Sequence, residues 1–124
     1  MSLPYTRKSN RHYLFVVILL QTTGEGLFQA GPLPGPIGFR GIRLGIPVCE
    51  DAWSDEVCEC LAETGAELLL VPNGSPFYAG KPDIRMQVMV SRVVETNLPL
   101  VYCNQVGGQD ELVFDGGSFA LQAD

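Results

Sequence analysis

The chain has 124 residues, 46% of them apolar and 18% charged, which suits one globular domain with its own core and is too little for two. Its formal net charge is −6 and its pI about 4.6, so phosphate backbones and anionic membranes are repelled. The carboxylates are spread along the chain rather than gathered in a tail, and nucleic-acid and membrane-surface roles are excluded on this ground.

Arg7, Lys8 and Arg11 precede an apolar run from Tyr13 to Leu20. The run is shorter than the roughly 20 residues of a membrane span and has no small-x-small cleavage site after it. A buried strand is the expectation, because β-branched apolar runs suit a covered sheet. Gly31 to Pro36 has the composition of a surface loop.

From Gly41 an α/β rhythm begins. Ile42 to Val48 is expected as a strand ending at Cys49. Ser54 is expected to cap a helix with Asp55 and Glu56 in its first turn and Gly65 at its end. Val57, Cys60, Leu61 and Thr64 fall on one face of that helix. Glu67 to Pro72 reads as a strand and Asn73 to Lys81 as a loop. Pro82 suits the start of a second helix, with Met86, Met89, Val90 and Val93 as its apolar stripe and Asn97 and Pro99 stopping it. Leu100 to Asn104 is the next strand, Gly107-Gly108 a turn, and Leu112–Phe114 with Ser118–Leu121 an antiparallel pair. This order implies an α/β fold with parallel pairing followed by a hairpin.

The four cysteines, at 49, 58, 60 and 103, match no metal-ligand spacing, and His12 is the one histidine. Thiols used singly point to a reduced, cytoplasmic protein. Asp110, Glu111 and Asp115 fit no calcium loop and read as turn residues. Arg92 and Glu95, three apart on a helix, read as a structural ion pair.

Cys49 is the most informative residue. A cysteine between a strand and a helix sits at a sharp turn, where free backbone N–H groups could stabilise a thiolate and later an oxyanion. Glu50 and Asp51 oppose thiolate formation, so a nearby cation would be required. From spacing alone a buried, inert cysteine is the commoner outcome. By the same standard Trp53 would cover the core, Ser75 would serve the turn before Pro76, and Lys81 would be a solvated loop cation.

Four stretches, in order, alter that balance. Gly45 to Trp53 reads GIPVCEDAW; Val71 to Tyr78 reads VPNGSPFY, with Gly80-Lys81 after it; Arg92 to Asn97 leads to Val101 to Asn104; and Gly107 to Ser118 reads GGQDELVFDGGS. Together they resemble the nitrilase superfamily of carbon-nitrogen hydrolases, in the form of the glutaminase part of glutamine-dependent NAD synthetases. The resemblance runs from about Leu27 to the C-terminus.

It implies the C-terminal portion of a four-layer α-β-β-α sandwich and hydrolysis of the glutamine side-chain amide through a cysteine thioester. Cys49 would be the nucleophile and the Glu50 backbone N–H one oxyanion donor. Trp53, Ser75 and Lys81 would lie around the glutamine. No cofactor or metal is implied for this domain; ATP and Mg²⁺ belong to the separate synthetase domain, the implied partner, which would use the ammonia.

The family's catalytic glutamate and lysine belong upstream of Cys49, where residues 1–26 carry no matching stretch; Lys8 cannot be assigned to the lysine, and Glu25 lies one residue away from where a substrate-recognising glutamate of the family would fall. The expectation is therefore a truncated domain, 27–124, preceded by a non-matching segment. Such a chain would be catalytically incomplete and, with an apolar sheet surface uncovered, would self-associate as a homo-oligomer. Another nitrilase-type amidase, or a non-catalytic oligomerising fragment, are the alternatives.

Overall fold

A computed structural model of the chain describes residues 32–124. The expected strand at 13–20, the 1–26 segment, Lys8, Glu25 and the start of the resemblance at 27–31 lie outside the described residues.

Among the described residues, seven strands and two α-helices follow one another: β1 (Ile37–Phe39), β2 (Ile42–Gly45), α1 (Asp55–Glu63), β3 (Leu68–Asn73), α2 (Lys81–Thr96), β4 (Leu100–Asn104), β5 (Val106–Gln109), β6 (Leu112–Asp115) and β7 (Phe119–Leu121). The main sheet has the order β1-β2-β3-β4-β7, with β2-β3-β4 parallel and both edge strands antiparallel; β5 and β6 form a separate two-stranded sheet. This is the expected α/β class. No helix among the described residues is long and apolar enough to cross a membrane.

Strand β1 has no counterpart in the sequence reading. It pairs with β2 through the two-residue loop Arg40-Gly41, whose φ values of 49° and 83° are those a tight hairpin matched to strand twist requires. Strand β2 is shorter than expected. It ends at Gly45 because Pro47 has no N–H for a ladder, and the Val48 N–H donates to the Asp51 carboxylate at 3.0 Å instead. Gly45 itself marks a close approach: a Cβ there would lie 2.9 Å from Leu69 Cδ2 and 3.2 Å from both Ala66 Cβ and Leu61 Cβ.

Helix α1 begins after Ser54 as expected, although the Ser54 hydroxyl donates to the Asp51 carbonyl at 3.4 Å rather than capping the helix. Its buried residues are Val57, Cys58 and Leu61; Cys60 is half-buried and Thr64 exposed, so the inner face is turned by one position from the expected one.

In α2 the correction is larger. Met89 and Val93 are buried, but Met86 and Val90 are exposed, and Lys81, Arg85 and Arg92 take the inner positions. The reason is electrostatic. Arg85 meets Asp115, Arg92 meets Glu95 at 3.0 Å in the expected ion pair, and Lys81 lies against aromatic rings. The helix ends at Asn97, which adopts a left-handed φ of 54°.

One continuous core joins Val57, Cys58 and Leu61 of α1, Met89 and Val93 of α2, and Leu69, Val71, Leu100 and Tyr102 of the sheet. Phe119 stacks on Tyr102 with ring centroids 4.9 Å apart. On the opposite face of the sheet the alternate residues Leu68, Leu70, Pro72 and Val101 are half-buried.

The C-terminal third is corrected too. Gly107 and Gly108 lie within β5 rather than in a turn, and the chain reverses at Asp110-Glu111, with Asp110 at φ 52°. Strand β6 pairs with β5, not with β7. The latter joins β4, because Phe119 and Leu121 gain core contacts there and the Ser118 hydroxyl accepts from the Asn104 N–H at 2.9 Å.

Candidate functional site

The site is built where β2 and β3 end side by side. After Pro47 the chain enters a single 3₁₀ turn, Cys49–Ala52, closed by the Asp51 N–H to the Val48 carbonyl and the Trp53 N–H to the Glu50 carbonyl, both 3.0 Å. Cys49 stands at φ 52°, a region that side chains other than glycine rarely occupy and that costs on the order of 1–3 kcal/mol. Its side chain is buried, with 2% of its surface exposed.

Burial pushes the Cys49 thiol up to about 11; the backbone N–H groups of Gly74 and Glu50, which face the sulfur, pull it down, while the Glu50 and Asp51 carboxylates push it up. The described site therefore holds Cys49 as a neutral thiol at neutral pH. The Glu50 side chain is exposed, and what this residue offers the site is its N–H.

Ser75 follows Gly74 in the loop after β3 and is buried. Its N–H donates to Asn104 Oδ1 at 2.8 Å, and its carbonyl accepts from Asn104 Nδ2 at 3.1 Å and from Arg85 Nη2 at 3.5 Å. Its hydroxyl lies 3.4 Å from the same Nη2. Asn104 Nδ2 also donates to the Gly116 carbonyl at 2.9 Å, so one amide ties the β3 loop to the turn after β6. Arg85 completes the tie from α2, with Nη2 3.2 Å and Nη1 3.3 Å from the Asp115 carboxylate. The Arg85 guanidinium holds the Asp115 carboxyl below the usual carboxylate range.

Lys81 and Trp53 are brought together: Lys81 Nζ stands 4.2 Å from the Trp53 ring centroid and 5.1 Å from that of Tyr78. The lysine is buried, so this is a desolvated cation held on aromatic faces rather than a solvated loop charge. Tyr102 underlies the site from β4. Burial raises its phenol, with Ser75 and Arg85 countering, although no group stands at hydrogen-bonding geometry to its hydroxyl among the described residues.

Sequence reasoning missed Gly74, Arg85, Tyr102 and the role of Asn104. The one available signal was that Asn73 and Asn104 close two strands, and the register does pair them. Nothing in the pattern of α2 marked Arg85.

The other thiols stand apart: Cys58 is buried in the core and pushed up to about 12 by burial, with Arg92 opposing, whereas Cys60 is half-buried and Cys103 exposed. All four are free, and among the described residues no three His, Cys, Asp or Glu side chains gather where a metal could be held. Asp110 and Glu111 form the β5–β6 turn, and Asp115 serves Arg85.

Residues 6–124 match the sequence pattern of the carbon-nitrogen hydrolases. The chain is 55% identical over 98 residues to the glutamine-dependent NAD(+) synthetase of Rhodobacter capsulatus, which covers 79% of this chain and 18% of that protein. It thus spans less than a fifth of that relative's length. Among solved structures it is similar to the glutamine-dependent NAD+ synthetase of Acinetobacter baumannii, at TM-score 0.71 and 36% identity over 80% of this chain and 20% of that one. It is similar as well to an amidase from Nesterenkonia sp. AN1 whose active site cysteine carries an acetamide adduct, at TM-score 0.68 and 29% identity over 77% of this chain and 36% of that one. The fold class read from the sequence is therefore that of the nitrilase superfamily, and the chain belongs to the carbon-nitrogen hydrolase family.

Proposed function

We propose that Cys49 is the nucleophile of a glutamine amidohydrolase site, and that the ammonia released serves ATP-dependent NAD synthesis in a longer protein or assembly. The observation that carries the reading is Cys49 itself: a buried cysteine at positive φ, after a parallel strand, with the Glu50 and Gly74 N–H groups facing its sulfur. The thiolate attacks the side-chain amide carbon, the C–N bond breaks, and ammonia leaves with a proton. Water then cleaves the thioester, returning the thiol and releasing glutamate. The Glu50 N–H donates to the oxyanion of both tetrahedral intermediates.

Trp53, Ser75 and Lys81 surround the glutamine in this reading. The Lys81 ammonium, desolvated on the Trp53 and Tyr78 rings, is suited to pair with a carboxylate of the substrate. No cofactor is required here; ATP and Mg²⁺ act in the synthetase part. Because Cys49 is a neutral thiol, the cleavage needs a proton acceptor and a cation beyond residues 32–124, and without them the chain is catalytically incomplete. A cytoplasmic location follows from the substrates, and a homo-oligomer would cover the sheet face of Leu68, Leu70, Pro72 and Val101.

The raised Cys49 thiol also favours a second reading, a non-catalytic fragment that keeps the scaffold and self-associates. A glutamine-mimicking diazoketone, read by intact mass and peptide mapping with Cys49→Ala as control, separates the two. Selective labelling of Cys49 over Cys58, Cys60 and Cys103 supports the glutaminase site. Absence of labelling, or equal labelling of all four thiols, favours the fragment. A panel of simple amides would detect a general amidase.

A further inference from the structure

The loop that faces Cys49 is held from behind. Gly74 directs its N–H to the sulfur, and the next residue, Ser75, is gripped by two side chains from different elements. Asn104 of β4 takes its N–H and carbonyl; Arg85 of α2 takes its carbonyl and hydroxyl while pairing with Asp115 and donating to the Gly116 carbonyl at 3.4 Å. Arg85 is nearly fully buried, at 1% exposure, and Nε finds no acceptor among the described residues, so the guanidinium is held through its two Nη atoms alone. A buried arginine arranged this way is costly as a stabilising device, since burying an ion rarely gives a net gain over a hydrophobic side chain. Its planar fork reaches the β3 loop and the β6 turn at once.

We infer that Arg85 is a positioning residue of the Cys49 site: its guanidinium clamps the Gly74–Ser75 loop to the Asp115–Gly116 turn and so keeps the loop closed over the sulfur. The inference deepens the glutaminase reading and rests on it for the purpose of the clamp, but the clamp acts on the thiol whether or not glutamine is the substrate. Releasing it lets water reach Cys49. The groups that face the thiol and share in its titration are Glu50 and Asp51 from its own turn and Tyr102 from β4.

The test is the pH–rate profile of iodoacetamide alkylation of each cysteine, followed by peptide mapping, in wild type, Arg85→Met and Asp115→Asn. Cys58 is the internal control, since it is buried in the core against Arg92 rather than against the Arg85 clamp. Arg85→Met is expected to speed Cys49 alkylation at pH 8 by roughly tenfold or more, with Cys58 unchanged. The ceiling is about a hundredfold, the thiolate gained if the thiol fell from about 11 to its ordinary 9.0. Asp115→Asn keeps the Ser75 contacts and should move Cys49 the same way by a smaller factor, which preserves the test if Arg85→Met unfolds.

Cys49 rates within twofold of wild type in both variants would overturn the inference, as would Cys49 and Cys58 rising in parallel in both. Iodoacetamide needs no glutamine pocket. Failure of the glutaminase reading would therefore show as absent diazoketone labelling with the Arg85 effect intact.

Discussion

Raising the pH from 7.5 to 10 should destabilise the fold through two buried thiols. Cys49 and Cys58 are pushed from the ordinary 9.0 to about 11 and about 12, chiefly by burial. A group whose folded pKa lies above its unfolded value contributes stability that is complete below the unfolded pKa and is lost as pH rises through the folded one. The window therefore opens near pH 9 and extends to 11–12. At pH 10 the unfolded thiols are mostly ionised and the folded ones mostly not, so each loses somewhat more than about 1 kcal/mol, or roughly 3 kcal/mol together. Against a total of roughly 5–15 kcal/mol this is a large share, and with an m-value of about 1–3 kcal/mol/M it lowers the urea midpoint by on the order of 1–3 M. Urea unfolding at both pH values, in wild type and in the Cys49→Ala/Cys58→Ala double variant, isolates the effect, because other alkaline titrations are common to both proteins. If the double variant loses as much stability between pH 7.5 and 10 as wild type, the two thiols are not held neutral by burial and the electrostatic account of the site fails.

Gly45→Ala should destabilise by about 1–3 kcal/mol, because the new Cβ meets Leu69, Ala66 and Leu61 at 2.9–3.2 Å, whereas Gly38→Ala, with nothing within 4 Å, should shift the urea midpoint hardly at all. Met89→Ala should cost about 2–5 kcal/mol and Met86→Ala less than about 0.5 kcal/mol, since the first is fully buried and the second exposed; equal costs in thermal unfolding would restore the apolar stripe expected from hydropathy alone. The Asp115 carboxyl is depressed by Arg85, so its contribution to stability is present above the ordinary 3.8 and is lost as pH falls through the lower folded value. Asp115→Asn should accordingly flatten the loss of stability on acidification below pH 3.8, and an unchanged acid profile would count against the ion pair.

What the sequence made legible was what local pattern decides. Strand β4 occupies the expected residues, α2 stops at Asn97, and Arg92 finds Glu95 one helical turn on. Pattern failed where tertiary partners decide. Hydropathy puts charges outside, so it turned α2 toward Met86 and Val90; the actual face brings Arg85 to Asp115 and Lys81 to the Trp53 ring, partners that lie on other elements. The glycine pairs misled in the same way. Gly107-Gly108 stayed in a strand while Asp110 made the turn, and β7 left the expected hairpin for Tyr102 and the sheet. For the site, it was the family resemblance, not residue type or spacing, that singled out Cys49, Trp53, Ser75 and Lys81. The backbone conformation of Cys49 and the Arg85–Asn104 grip on Ser75 depend on contacts between elements far apart in sequence, which a single chain of letters does not display.

The two halves of the Cys49 environment pull in opposite directions, and the imbalance states what a working site still requires. The turn geometry and the two N–H groups that face the sulfur suit the oxyanion role proposed for them, at the cost of a strained φ. The side-chain charges that act on the sulfur, Glu50 and Asp51, are both negative. With the thiol near 11, only about one molecule in three thousand carries a thiolate at pH 7.5, and bringing the thiol to neutrality would take about four units, or roughly 5 kcal/mol. A single cation within about 4–6 Å supplies only 1–3 units. A single cation therefore leaves the Cys49 thiol mostly protonated, and in the proposed reaction a base that removes the proton during attack is needed beside it. Under the proposed function, a lysine and a glutamate, the pair that the family resemblance places upstream of Cys49, would fill these two roles together, the cation lowering the thiol and the carboxylate taking its proton.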